Sequence, residues 1–218
     1  MADYKKPDYW QLKARKEGYP ARSVYKLKEI DEKFGLLKIP GKTSNSSNQL
    51  KQAIPTFRVL DIGAAPGSWS LYILRKITGK PGFLAAADLS PLSREFDKGL
   101  FDTDNFSFIQ GDITTAPVRE SILAKGPYTV IISDVAPSTT GNNMIDSARS
   151  LDLAETVIEY AKNALAREGN LAVKIFQGSG TDALLKSVKP LFKTSKCFKP
   201  EACRGESVET YFIGLGFK

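Results

Sequence analysis

From residue 57 onward, short apolar runs alternate with stretches whose apolar positions recur every three or four residues. The runs predict strands over 57–62, 83–88, 106–110, 128–134, 170–176, 193–198 and 209–215. The periodic stretches predict helices near 69–78, 91–99, 117–125, 146–166 and 180–191. Strands separated by helices build a parallel sheet covered on both faces, an α/β architecture. No helix separates the last two strands, which predicts an antiparallel hairpin at the sheet edge. Ahead of this unit, 9–17 and 21–34 read as two helices divided by Gly18-Tyr19-Pro20, a stop signal. The second carries Val24, Leu27, Ile30 and Phe34 at helical spacing. Residues 38–56, rich in Ser, Asn, Lys and Pro, predict a loop insertion with no chemistry of its own. With no internal repeat, 1–218 is expected to be one domain, with 1–35 as a basic helical extension.

Charge sharpens this outline. Residues 1–42 hold eleven Lys/Arg and six Asp/Glu, and residues 186–204 hold six against one, so each segment carries +5 of a total of +7. Two basic segments around a slightly acidic middle suit a phosphate backbone. Solvated charge kept for solubility is the competing explanation. Lysines and arginines at 13, 15, 16, 22, 26 and 28 interleave with Tyr9, Trp10, Tyr19 and Tyr25. Such rings either stack on unpaired bases or pack into the core.

Composition also excludes. The chain has no histidine, so Ser-His-Asp and Cys-His catalysis and histidine-bound metal are ruled out, and no metal is expected. A general base must be Lys, Asp, Glu or Tyr. Cys197 and Cys203 lack metal-ligand spacing and are expected to be free thiols. No apolar run approaches the ~20 residues of a membrane span. The first residues, MADYKKPDYW, lack the apolar core of a signal peptide, so a cytoplasmic protein, monomeric, is expected.

The chemistry-bearing stretch is Arg58-Val59-Leu60-Asp61-Ile62-Gly63-Ala64-Ala65-Pro66-Gly67-Ser68-Trp69-Ser70, a strand, a small-residue turn and a helix start. Gly63 and Gly67 allow close backbone approach to a ligand. The spacing is G-x-x-x-G with Pro66 inside, not the G-x-G-x-x-G of a pyrophosphate cradle. Asp61 at the strand end repels phosphate and attracts a cationic group. An adenosine ligand without phosphates fits better than a dinucleotide, which counts against a nicotinamide-dependent dehydrogenase. Three further strands end in or are followed by acids: Asp88, Asp112 and Asp134. In sheets of this class, ligands sit at the strand C-termini. One Asp after a strand is commonly a turn residue; four at one sheet edge point to a site. The strand 170–176 is interrupted by Lys174, a costly residue there unless paired or functional.

Asp61 to Ser70 resembles motif I of S-adenosylmethionine-dependent methyltransferases, and GAAPGSWS in full resembles the FtsJ/RrmJ family of RNA 2′-O-methyltransferases. ARSVYKLKEID, SDVAPSTTG, VKIFQG and the Ser207-x-Glu209-x-Tyr211 segment resemble further motifs of that family. The resemblance implies a Rossmann-like seven-stranded sheet with one reversed strand. It implies a catalytic tetrad of Lys26, Asp134, Lys174 and Glu209, with Lys174 as base or as a fixed charge for the developing alkoxide. It implies S-adenosylmethionine held by Asp61, Gly63, Pro66, Gly67, Ser68, Trp69, Asp88, Leu89, Asp112, Ile113 and Asp134. Asp88 would meet ribose hydroxyls, Asp112 the adenine amino group, and Trp69 would wall the site. The implied substrate is a uridine of large-subunit (23S) ribosomal RNA, within the large subunit. Enzymes acting on the tRNA anticodon loop or the mRNA cap share the tetrad. A non-catalytic RNA-binding ribosome-assembly module is the reading from another class, and the complete tetrad opposes it. The family usually has serine where this chain has Cys203.

Overall fold

The structure, a computed structural model, describes residues 8–38 and 57–218. Most of the predicted loop insertion, from residue 39 to 56, lies outside the described residues. A seven-stranded sheet runs through the molecule in the order β3-β2-β1-β4-β5-β7-β6. Its strands are β1 Phe57–Ile62, β2 Gly82–Asp88, β3 Phe106–Gln110, β4 Tyr128–Ser133, β5 Leu165–Phe176, β6 Phe192–Phe198 and β7 Glu209–Phe217. Neighbours pair in parallel from β3 through β5, whereas β7 runs antiparallel to both β5 and β6. One strand is therefore reversed, as the hairpin prediction requires.

Strand side chains alternate between two cores, because successive Cβ atoms point to opposite faces. Val59, Val130, Ile132, Ala172, Tyr211 and Ile213 enter one core. Leu60, Ile62, Ile131, Val173, Ile175 and Phe212 enter the other. Helices α4 Ala116–Leu123, α5 Asn143–Ala164 and α6 Thr181–Val188 cover the second face. The first is covered by α2 Val24–Phe34 and α3 Ser68–Ile77, with α1 Tyr9–Lys16 contributing Ala14. This period-two logic also places polar residues. Asp61, Asp134, Lys174, Glu209 and Tyr211 share parity with first-face neighbours, so all five are directed toward α2 and α3.

The N-terminal helices are fastened to the sheet. Trp69 Nε1 donates to the Ser23 carbonyl at 2.7 Å, and Ser68 Oγ accepts from the Ala21 amide at 2.8 Å. Glu29 accepts from the amides of Glu201 and Ala202 at 2.7 and 2.9 Å, tying α2 to the loop before β7. Asp31 accepts from Leu37 N at 2.7 Å and Tyr72 Oη at 3.2 Å, and pairs with Lys76.

Several element bounds depart from expectation by a few residues, and one expected helix is absent. No helix forms over 91–99; only a short 3₁₀ turn, Leu100–Asp102, follows. Tertiary bonds take this backbone instead: Ser93 N donates to Pro66 O at 3.0 Å, and Arg75 donates to Phe96 O at 3.3 Å. Leu92 and Phe96 pack on the first core. Strand β5 begins at Leu165, and its register with β4 shifts between Tyr128 and Val130. Helix α6 ends at Val188, giving way to a 3₁₀ turn that contains Pro190, which cannot donate to continue an α-helix.

Candidate active site

At the C-terminal ends of β4 and β5, where β7 begins, four charged side chains meet. Lys26 Nζ lies 2.8 Å from Glu209 Oε2 and 3.9 Å from Asp134 Oδ1. Lys174 Nζ lies 3.0 Å from the same Asp134 oxygen and also donates to the Asp134 carbonyl. Each of the four is buried or nearly so. The chain separation is large, 183 residues between Lys26 and Glu209, yet β5–β7 pairing sets Lys174 opposite Tyr211 and Phe176 opposite Glu209. Helix α2 then lowers Lys26 onto them.

The alternation of two cations with two anions keeps this buried charge tolerable. Burial opposes charge on Lys26, but Asp134 and Glu209 outweigh it and hold the ammonium pKa above its ordinary value. Burial likewise opposes the Asp134 carboxylate, and the charges of Lys174 and Lys26 prevail, lowering its pKa. Tyr211 Oη donates to Asp134 Oδ1 at 2.5 Å. Burial first, then the Asp134 and Glu209 charges, push that phenol well above its ordinary pKa, so it stays protonated. The sequence reading assigned Tyr211 no role. The available signal was its place two residues after Glu209, on the same strand face.

Along β1, β2 and β3 no lysine or arginine among the described residues pairs with the strand-end carboxylates. Asp61 has no exposed surface; its Oδ2 accepts from Ser70 Oγ at 2.7 Å, while buried Oδ1 has no hydrogen-bond partner among the described residues. Burial pushes its pKa up to about 7, against the Ser70 hydrogen bond and with help from the Asp134 and Asp88 charges. Asp88 accepts from Ala65 N at 2.9 Å and Ser90 N at 2.8 Å, pinning the turn. Asp112 accepts from Thr114 N and Oγ1 at 2.9 and 2.8 Å. Those bonds lower its pKa. Leu89 is exposed beside Asp88, and Ile113 is buried.

The turn itself requires its glycines. Gly63 has φ +78°, and a Cβ there would lie 2.6 Å from Val135 Cα. Gly67 has φ +108° and would meet Phe101 Cζ at 3.0 Å. Pro66 lies between them, and its carbonyl accepts from Ser93. Ser68 and Trp69 open α3, but their side chains are buried and bonded to the segment before α2. Trp69 also lies 6.0 Å, ring centroid to centroid, from Tyr211. Cys203 is a buried free thiol whose pKa is pushed up to about 12, first by burial and then by the Glu209 charge. Among the described residues no group of three or more Cys, Asp or Glu is placed to hold a metal, and no helix is long and apolar enough to cross a membrane.

An edge lined by carboxylates without cations suits a ligand bearing positive charge. The neighbouring cluster has its own counter-charges and suits a reaction that moves a proton. Comparison with known proteins identifies the family. The FtsJ-like methyltransferase profile matches residues 19–217. A Treponema denticola protein named ribosomal RNA large subunit methyltransferase E is 45% identical over 215 residues, 99% of this chain and 97% of its own. A protein of that name from Oleidesulfovibrio alaskensis is 43% identical, covering 97% of this chain and 92% of its own. A crystal structure of a Plasmodium falciparum protein named as a ribosomal RNA methyltransferase superposes with TM-score 0.70 at 25% identity, over 91% of this chain and 98% of its own. The motif turn, the converged charges and these matches lead to one assignment: the chain belongs to the FtsJ-like methyltransferase family.

Proposed function

We propose that this protein transfers a methyl group from S-adenosylmethionine to a ribose 2′-hydroxyl of RNA, on a uridine of large-subunit (23S) ribosomal RNA, as a cytoplasmic monomer. The observation that carries the reading is the buried meeting of Lys26, Asp134, Lys174 and Glu209 beside the glycine turn. The names of the Treponema and Oleidesulfovibrio relatives support ribosomal RNA of the large subunit as substrate.

S-adenosylmethionine supplies an electrophilic methyl on a positively charged sulfur. The residues present fit it: Gly63 and Gly67 let the turn keep its tight positive-φ path with only small side chains and a proline between them, and the unpartnered Asp61 Oδ1 offers an acceptor to a cationic ligand. Asp88, Leu89, Asp112 and Ile113 form the rest of that edge, with Pro66 holding the turn. Trp69 and Ser68 act from behind, by locking α3 to the segment that leads into α2.

A 2′-hydroxyl must give up its proton as its oxygen gains the methyl carbon. Lys26 is held as an ammonium by two carboxylates, Tyr211 is held protonated, and Asp134 is held ionised. The first two have no site for that proton, and the flanking lysines make Asp134 a weak base. Lys174 is the amine beside them, fixed by two contacts to Asp134, and it acts on the hydroxyl either as base in its uncharged form or, as an ammonium, by holding the developing alkoxide while the proton passes to solvent. Lys26, steadied by Glu209, orients the hydroxyl. Alignment of hydroxyl, methyl and sulfur supplies most of the rate.

Incubation of the protein with labelled S-adenosylmethionine and RNA fractions, followed by alkaline hydrolysis, tests the reading. The expected product is label in large-subunit RNA, in an alkali-stable dinucleotide headed by uridine. Label in tRNA, or on a base, would replace this substrate with another.

A further inference from the structure

The sequence leaves four aromatics near the N-terminus, Tyr9, Trp10, Tyr19 and Tyr25, as either packing residues or base-stacking surfaces. The structure separates them. Tyr19 and Tyr25 are buried, and Trp10 packs against the first core with its ring 5.0 Å from that of Tyr25. Tyr9 is 68% exposed, and Leu12 on the same helix is 56% exposed. Tyr9, Leu12, Lys13 and Lys16 stand at i, i+3, i+4 and i+7, so they form one face of α1. A surface helix normally turns such a stripe inward; here Ala14 and Trp10 make the inward contact and the stripe faces outward.

The stripe is rigid and positive. Asp8 caps α1 by accepting from Gln11 N at 2.9 Å, while Gln11 Oε1 accepts from Asp8 N at 3.0 Å. Tyr9 is the first residue of that helix, with its ring edge-on to Trp10 at 5.4 Å. Lys13 Nζ lies 6.0, 5.3 and 4.8 Å from the ring centroids of Tyr9, Trp10 and Tyr25. The acids that bracket α1 are engaged elsewhere: Asp8 pairs with Arg22, and Glu17 with Lys28 at 2.7 Å. Tyr25, at the foot of this ring stack, immediately precedes Lys26 of the charged cluster.

We propose that this outer face of α1 is a stacking platform for an unpaired RNA nucleotide near the acceptor, with its base on Tyr9 and its phosphates against Lys13 and Lys16. The inference rests on RNA being the substrate. An exposed ring flanked by cations, with the acids at both ends of the helix already paired, is the chemistry that single-stranded RNA recognises. A protein docking surface of this size would need more apolar area than one tyrosine and one leucine provide. Because capping and ring contacts hold the platform in place, little ordering is needed on binding.

The test measures binding of a short oligouridylate, and of an RNA duplex with the same number of phosphates, to the full chain. Tyr9→Ala is expected to weaken the oligouridylate by about 10-fold and leave the duplex nearly unchanged. Tyr9→Phe, which keeps the ring, is expected to bind as wild type. Lys16→Gln is expected to lower the salt dependence of both probes by about one ion. S-adenosylmethionine affinity of every variant should match wild type, which certifies the fold. Unchanged oligouridylate affinity in Tyr9→Ala overturns the platform, as does an equal loss on both probes. A loss seen only with assembled ribosomal subunits also overturns it, since it assigns the face to a protein contact. If wild type methylates no RNA yet Tyr9→Ala still loses the oligouridylate, the catalytic reading fails and the platform stands. If wild type methylates RNA and Tyr9→Ala binds normally, the reverse holds.

Discussion

Two adjoining regions of one sheet edge treat buried acid in opposite ways. At the ends of β4, β5 and β7, every carboxylate has an ammonium within 4 Å, and every ammonium has a carboxylate. At the ends of β1, β2 and β3, among the described residues, acids are met by hydroxyls and backbone amides and by no cation, and Asp61 keeps one buried oxygen unpartnered. The first region is electrostatically closed and can cycle a proton without importing charge. The second lacks a cation and is completed by a ligand that brings one. Acid at a strand end is thus not one signal: its meaning depends on what stands opposite.

Substitutions should pull the two regions apart. The largest effect is expected at Lys174. Lys174→Ala should slow methyl transfer by about 10³-fold or more, with S-adenosylmethionine affinity nearly unchanged in a calorimetric titration. Lys174→Arg keeps a positive charge that cannot serve as a base. Activity well above the alanine variant would assign Lys174 an electrostatic role in place of proton transfer.

Next in size is Asp61. Asp61→Asn should weaken S-adenosylmethionine about 10-fold or more, through loss of an ionic acceptor. It also carries a pH signature in the ligand-free protein. An unfolded aspartate titrates near 3.9, and folded Asp61 at about 7, so the native state binds the extra proton between those values. Stability therefore falls as pH rises from about 4 to about 7, by an amount on the order of 4 kcal/mol, and is level above. Asp134 works the other way and elsewhere: its lowered pKa gives stability that is lost only as pH drops below about 4. Urea midpoints measured from pH 4 to pH 8 should decline in wild type relative to Asp61→Asn. A constant difference between the two would mean that Asp61 does not titrate in this window.

Smaller still is Tyr211→Phe. It deletes a hydrogen bond to Asp134 but leaves the Lys174 contact and the ring packing in place. Methyl transfer is expected to drop about 3- to 10-fold. A loss as large as that of Lys174→Ala would make Tyr211 a participant in proton transfer rather than a brace. Cys203→Ser, which keeps a small polar side chain beside Glu209, should change the rate least of all.

Much of this was legible in the chain. The apolar runs located all seven strands, because buried strands need continuous apolar residues wherever helices cover both faces. The acids were visible as interruptions at strand ends, and Lys174 as a lysine in an otherwise apolar run. The parity of Asp134, Lys174, Glu209 and Tyr211 is a sequence property once the strands are drawn. What stayed hidden depends on partners. The sequence of 91–99 satisfies a helical pattern, but the Pro66 carbonyl and Arg75 claim its backbone groups. Ser68 and Trp69 sit in the ligand-binding motif, yet their side chains bond to Ala21 and Ser23, 47 and 46 residues away in the chain. The different fates of Asp61 and Asp134 follow from a serine on α3 in one case and two lysines in the other. No local spacing encodes that.

The central claim is that donor binding and proton handling are divided between neighbouring carboxylate environments. Its most direct test is one experiment on two variants: S-adenosylmethionine Kd and single-turnover methyl transfer at saturating donor, for Lys174→Ala and Asp61→Asn side by side. The account predicts a crossed result: Lys174→Ala loses rate and keeps Kd, while Asp61→Asn loses Kd and recovers most of its rate once saturated. Parallel losses of both quantities in both variants would contradict it.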